Sequence, residues 1–101
     1  MDLEYFKEHI EEEIEGAKDY IIRAIEMKPM DPAWTRKLTE MSMQELGHAE
    51  ALHNMFNEYY KQLQANYKQM PEYVDKIKSE IAERYATGYA EVKMMHEAVA
   101  K

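Results

Sequence analysis

Glu45 and His48 stand three positions apart in the stretch MSMQELGHAEALHNMF, residues 41–56. In a helix, this i, i+3 spacing sends both side chains to one side. A carboxylate and an imidazole together suit iron, manganese or zinc, whereas a calcium site uses oxygen ligands only. At about 100° per residue, both positions project towards the apolar side formed by neighbouring Leu, Met and Phe residues. A carboxylate there needs a paired arrangement, because burying it alone is costly.

A third ligand of the right type is Glu13, in the acidic N-terminal part of the chain. Helical projection places Glu13 about 60° from the centre of its own apolar stripe, so it is an inward acid. Tyr20, two turns later, lies on nearly the same line and is predicted to donate a hydrogen bond to the Glu13 carboxylate. Glu13 and Glu45 each lie about 20 Å from the intervening turn at 1.5 Å per residue, which makes them level in an antiparallel hairpin.

The elements that must position these side chains are three helices in an all-α domain spanning 1–101. Helical periodicity predicts a first helix from Leu3 to about Met27, a second from Pro32 to near Tyr67 and a third from Pro71 onwards. Asp31 followed by Pro32 suits a helix N-cap and first position. The short link makes the first two helices an antiparallel hairpin, and Gly88 suits a close helix crossing or a bend in the third.

Apolar residues at helical spacing predict which side of each helix is buried. The first stripe is Leu3, Phe6, Ile10, Ile14, Ala17, Ile21 and Ala24. The second is Trp34, Leu38, Met41, Leu52, Met55, Phe56, Tyr59 and Leu63. The third is Val74, Ile77, Ile81, Tyr85, Val92, Met95 and Val99. His9, His53 and His96 are predicted to be surface or boundary residues.

Composition limits the partners that this chain can have. The net charge of −7 is spread along interleaved acids and bases, which disfavours nucleic acid and favours cations. The absence of Cys removes thiolate metal sites and cysteine nucleophiles. No apolar run is long enough for a membrane span and the N-terminus is no signal peptide, so a cytoplasmic location is expected.

One hairpin offers only three ligands, Glu13, Glu45 and His48, and a second copy would complete a site. A di-iron carboxylate bundle needs a Glu from each of two helices and a Glu-x-x-His from each of two more, which is this hairpin counted twice. A small domain of 101 residues also gains core by pairing. The sequence therefore predicts a two-fold homodimer that forms a four-helix bundle around two metal ions, with iron, manganese and zinc all compatible.

The stretches EEIEGAKDYIIRA (residues 12–24) and ELGHAEA (residues 45–51) resemble the encapsulated ferritins. These half-ferritins belong to the ferritin-like superfamily, together with the rubrerythrins, and the resemblance covers residues 10–56. It implies a ferroxidase di-iron centre at a dimer interface, with Glu13, Glu45 and His48 as ligands and Tyr20 beside them. It also implies a metal uptake site at Glu12 and Glu15.

The same resemblance implies a three-helix subunit and an annular decamer of five dimers, with an encapsulin shell as a partner and compartment. The chain ends EVKMMHEAVAK, without a Gly- and Leu-rich docking peptide, and Asp19 replaces the aromatic residue that often precedes the tyrosine. The expected activity is oxidation of Fe(II) for iron storage or detoxification. Two alternatives stay open from the sequence: a metal-free structural adaptor, and a rubrerythrin-like di-iron protein that reduces peroxide.

Overall fold

The computed structural model describes residues 2–101 as three α-helices, with no strand in that range. They are α1 (Leu3–Met27), α2 (Pro32–Asn66) and α3 (Glu72–Ala100). The helices run up, down and up in a rod 57 Å long and 18 × 16 Å across. The all-α prediction and the helix bounds are confirmed. None of the helices in this described range is long and apolar enough to cross a membrane.

The turn between α1 and α2 is fixed by the helix-start signal in the sequence. The Asp31 carboxylate accepts hydrogen bonds from the backbone N–H groups of Ala33 and Trp34, at 3.1 and 3.2 Å. Pro32 occupies the first helical position, where a backbone N–H would have no hydrogen-bond partner within the helix, so proline costs nothing there. The sharp start of α2 places its first turn directly beside the end of α1, and the two helices pack as the predicted antiparallel hairpin.

The predicted apolar stripe of α1 forms the centre of the core. All seven of its residues are buried, five of them with essentially no exposed surface. α1 packs against both α2 and α3 more extensively than those two helices pack against each other. Since side chains converge on it from two directions, α1 is the helix that orients the other two.

The predicted apolar stripe of α2 is wrong at its most prominent members. Trp34, Met41 and Met55 are 58%, 39% and 52% exposed. The positions that face α1 are instead the small or polar residues Thr35, Ser42 and Ala49, together with Leu46 and Phe56. Small side chains let the two helix backbones approach closely, so the larger residues one position earlier turn to the open side of α2.

Helix α3 lies parallel to α1 in a constant register. Three ion pairs join the helices at an offset of 73 residues: Lys7–Glu80 at 2.8 Å, Glu11–Arg84 at 3.5 Å and Lys18–Glu91 at 3.1 Å. Inside this ladder, the apolar α3 residues Val74, Ile77, Ile81 and Val92 are buried, whereas Tyr85, Met95 and Val99 of the predicted stripe are only partly buried. The alternating charges favour this parallel register over a one-turn shift.

A buried polar chain fixes the far end of α3. The Ser42 hydroxyl, fully buried, donates to the Ala17 carbonyl at 2.6 Å and lies 2.9 Å from His96 Nε2. Because the hydroxyl has one proton, it must accept its second bond from the Nε2–H of His96. Burial, with a smaller contribution from Lys93, lowers the pKa of His96. All three helices therefore meet at Ser42.

Gly88 sets the separation of α1 and α3. A Cβ atom built at Gly88 would lie 2.5 Å from Cγ2 of the buried Ile14. Gly47, in the middle of α2, is the opposite case, because a Cβ there would meet nothing within 4 Å. The close crossing that the position of Gly88 indicated is thus present.

We predict opposite effects of adding one methyl group at these two glycines. Gly88→Ala should lower the free energy of unfolding by about 1–3 kcal/mol, as overpacking does. Gly47→Ala should raise it by about 0.5–1 kcal/mol, since Ala is the better helix former. Chemical denaturation of both variants measures this. Equal effects would contradict the α1–α3 contact.

Candidate metal centre

Glu13 on α1 meets Glu45 and His48 on α2 at mid-length of the hairpin. The Nδ1 atom of His48 lies 3.4 Å from Glu13 Oε2 and 3.9 Å from Glu45 Oε1. One ligand atom from each residue falls within 4.8 Å of the others. The three residues predicted from spacing are therefore level, as the equal distances from the turn require.

This cluster lies at the surface of the hairpin, and no α3 residue belongs to it. The side chains of Glu13 and Glu45 are 26% and 29% exposed, and that of His48 is 61% exposed. His48 is thus less inward than predicted, because the α2 line that faces α1 passes through Ala49 instead. A cation bound here would have one chain on one side and open space on the other.

The Glu13 carboxylate changes the ionisation of Glu45. The pKa of Glu45 is raised above its ordinary value, first by its hydrogen bond with Glu13, then by burial and by the negative charge of Glu13. The positive charge of His48 opposes this shift. Two half-buried acids held together without a neutralising cation are electrostatically costly, and a divalent cation would remove that cost.

Two further observations fit a cation. Glu13 Oε2 is buried and makes no hydrogen bond to any described residue, although His48 Nδ1 lies 3.4 Å away. Gly16, one turn after Glu13, leaves space for Glu45: a Cβ at Gly16 would lie 3.0 Å from Glu45 Oε2. The donor set of two carboxylates and one imidazole suits iron, manganese or zinc.

No protein-family model, curated protein or solved structure matches this chain.

The likeness to the encapsulated ferritins therefore rests on its motif residues alone. In residues 2–101, the Glu13–Glu45–His48 group is the one set of three acidic or histidine side chains close enough to share an ion. Its ligands come from two helices that the hairpin brings together. That placement follows from packing and owes nothing to the resemblance.

Tyr20 does not make the predicted hydrogen bond. Within the described residues, none links its hydroxyl to Glu13, and the helix rise over seven residues, about 10.5 Å, separates the two. Tyr20 is half-buried on the same side of α1 as Glu13 and Gly16. The role of Tyr20 beside the cluster stays a prediction.

The two predicted uptake acids, three positions apart on α1, make different contacts. Glu12 is exposed and its Oε2 atom lies 3.4 Å from His9 Nδ1. Glu15 lines a separate groove between α1 and α3, together with Lys18 and Glu91. Neither residue belongs to the three-residue cluster, and Glu15 faces away from it.

Sequence reasoning missed Gly16, the residue that makes room for Glu45. The available signal was position: Gly16 follows Glu13 by three residues, so it shares the inward side of α1 with a ligand. The two remaining histidines that were predicted to lie at a boundary do so. His53 stacks on Tyr85 at 4.3 Å between ring centroids, and His96 bonds Ser42.

We predict that Glu45→Gln stabilises the metal-free protein at neutral pH. A carboxyl whose folded pKa is raised binds more protons in the native state, so stability falls as the pH rises from the ordinary value of 4.5 through the raised value. The variant lacks this charge and should lose that decline. Thermal unfolding of metal-free protein between pH 4 and pH 8 measures it, and an unchanged pH dependence would contradict the carboxylate contact.

Proposed function

We propose that this protein is a homodimeric non-haem ferroxidase. Two copies would each supply Glu13, Glu45 and His48, and together bind two ferrous ions as substrate. Dioxygen or peroxide would oxidise the iron, and the ferric product would pass on for storage or detoxification. The observation that carries this proposal is the level Glu–Glu–His cluster, which offers three ligands and remains open on one side.

The exposure of the cluster supports a dimer rather than a site within one chain. Three ligands leave a cation with an incomplete coordination shell. On the open side of the cluster, no other described acid or histidine is near enough to join the group. A second copy related by a two-fold axis would bring the same three ligands to the opposite side.

The proposed roles assign all three side chains to the iron. Glu45, whose Oε2 lies beside the open position at Gly16, would be the carboxylate shared between the two ions, and Glu13 and His48 would each hold one of them. Any proton on the carboxylate ligands would leave when Fe(II) binds, because metal ligands bind in the deprotonated form. With dioxygen, two ferrous ions would release two electrons, and dioxygen with two protons would give hydrogen peroxide.

Tyr20 is proposed as an orienting residue beside the Glu13–Glu45–His48 cluster. Its hydroxyl is available to a ligand of the second copy or to a bound water molecule. The annular decamer, the encapsulin shell and the uptake role of Glu12 and Glu15 stay predictions of the resemblance.

We predict that anaerobic titration with Fe(II) will saturate at about one iron per chain. Glu45→Ala and His48→Ala should each weaken binding and slow iron oxidation at least tenfold, because each removes a ligand. Gly16→Ala should weaken binding less, since its new methyl group displaces Glu45 without removing it. Glu40→Ala, an exposed acid on the same helix, is the control and should behave like the unmodified chain.

Two results would contradict the ferroxidase. Absence of iron binding, with no effect of added iron on stability, would favour a structural adaptor. Binding followed by faster turnover with peroxide than with dioxygen would favour a rubrerythrin-like peroxide reductase, which would need a separate electron donor because the sequence has no Cys.

A further inference from the structure

A second line of heptad-spaced side chains follows the outer side of α2. We call it the outward seam: Trp34, Leu38, Met41, Glu45, His48, Leu52, Met55 and Tyr59. Steps of four and three residues alternate along it, as in the seam of a coiled coil. The residues that pack against α1 lie on the neighbouring line through Thr35, Ser42, Ala49 and Phe56. The outward seam is therefore half-buried or exposed along its whole length.

The outward seam is symmetric about its midpoint between Glu45 and His48. Reading outward, Glu45 mirrors His48, Met41 mirrors Leu52, Leu38 mirrors Met55 and Trp34 mirrors Tyr59. An antiparallel copy of α2 centred at this point would place apolar residues against apolar ones and the carboxylate against the imidazole. A shift of one heptad either way would place Glu45 against Met41 or Met55 and leave it unpaired.

The charged residues that flank the outward seam select the same arrangement. In an antiparallel coiled coil with this register, Lys37 of one helix lies beside Glu58 of the other, twice by symmetry, and both are exposed. A parallel pairing would instead set Glu45 against Glu45, and like charges in contact destabilise an interface. Charge complementarity therefore favours the antiparallel copy.

The surface of α2 already contains a cavity at the place where this register puts the partner's largest side chain. Met55, Glu58, Tyr59 and Gln62 surround an open pocket of about 350 Å³ with Phe6 as its apolar base. Their i, i+3, i+4, i+7 spacing is that of a knobs-into-holes site. The mirror position of Tyr59 is Trp34, so the pocket faces the partner's indole ring.

We propose that the outward seam binds a second copy of this chain in antiparallel register, with Trp34 of each copy seated in the Phe6–Met55–Tyr59–Gln62 pocket of the other. Phe6 is 1% exposed and stacks at 6.2 Å on Tyr59, so the pocket offers a fixed aromatic base. Trp is a frequent interface anchor when it fills a pocket. Two such anchors, one at each end, hold Glu45 and His48 of the two copies opposite each other.

This inference rests on the homodimer of the proposed function and is independent of the metal and the reaction. It names Trp34 as a positioning residue for the site: the anchors fix the register, and the register brings the two half-sites together. Trp34 lies far from Glu45, about 16 Å along the helix axis, so it would not contact an ion itself.

The test uses the full chain without metal, in the presence of chelator. Trp34 is the one Trp in the sequence, so its fluorescence reports on this contact alone. As the protein concentration rises, the emission should shift to shorter wavelength and become shielded from acrylamide, in step with dimer formation in sedimentation velocity. Trp34 emission that stays at long wavelength and is still quenched by acrylamide in a fully formed dimer would overturn the anchor.

Two variants separate the anchor from general apolar contact. Trp34→Ala should raise the dimer dissociation constant at least tenfold, which equals about 1.4 kcal/mol. Met43→Ala removes an apolar side chain that is 57% exposed on another side of the same helix. This variant should change the dimer dissociation constant less than twofold. Trp34 is itself 58% exposed in the single chain, so its loss should not unfold the helix bundle. Equal effects of the two variants would overturn the proposal.

The register is tested by disulfide formation, which is specific because the sequence contains no Cys. Leu38→Cys combined with Met55→Cys should give a cross-linked dimer on oxidation, because position 38 of one copy lies opposite position 55 of the other. The two positions lie about 25 Å apart within one helix, so they cannot form a disulfide within one chain. Leu38→Cys with Leu52→Cys, which are not mirror positions, is the matched control and should not cross-link. Cross-linking of the control pair instead would overturn the register.

The outcomes distinguish this inference from the proposed function. A dimer that binds iron but fails the Trp34 and cross-linking tests would overturn the anchored register and leave the ferroxidase standing. A dimer that passes both tests but neither binds nor oxidises iron would overturn the ferroxidase alone. A chain that stays monomeric at high concentration, with and without iron, would overturn both.

Discussion

Two carboxylates, Glu13 on α1 and Glu45 on α2, are in contact at the partly exposed surface where the two helices pack. Their mutual repulsion is reduced by a shared hydrogen bond, which raises the pKa of Glu45, and by the nearby imidazole of His48. Stability alone would favour an apolar pair at these positions. A bound cation would offset the remaining repulsion, and the packing of α1 on α2 brings the three side chains together.

Close helix packing brings the candidate ligands together. Ala17, Ala24, Ser42 and Ala49 are small and buried, and the Ser42 hydroxyl donates to the Ala17 carbonyl across the α1–α2 contact. α3 packs on α1 through the Gly88 crossing and the ladder of ion pairs. No α3 residue belongs to the Glu13–Glu45–His48 group.

Much of this was predictable from the sequence because its signals are local. The prolines and Asp31 fix the helix bounds, and the periodicity of α1 identifies its buried residues. The equal distances of Glu13 and Glu45 from the turn also make them level in any antiparallel hairpin. These predictions need only helix geometry, with no knowledge of how side chains compete for the interior.

The errors arose where two helix faces competed. α2 carries two adjacent heptad lines, and hydrophobicity favours the line of Trp34 and Met41, whereas close approach to α1 favours the small residues Thr35 and Ser42. Composition cannot rank these two effects, because the second depends on the distance between backbones. The Ser42–His96 bond joins α2 to α3 and depends on the distance between those two helices, so no spacing rule pointed to it. The space at Gly16 had a signal in its three-residue step from Glu13, but its use by Glu45 depends on the distance between α1 and α2.

The central claim is that two copies of Glu13, Glu45 and His48 enclose a pair of metal ions. An anomalous-difference map from crystals grown anaerobically with Fe(II), measured on both sides of the iron absorption edge, tests it most directly. The account predicts two iron peaks between two antiparallel α2 helices, each within coordination distance of these residues from both chains. Iron bound elsewhere, or chains that pair through another face and leave the cluster without iron, would contradict it.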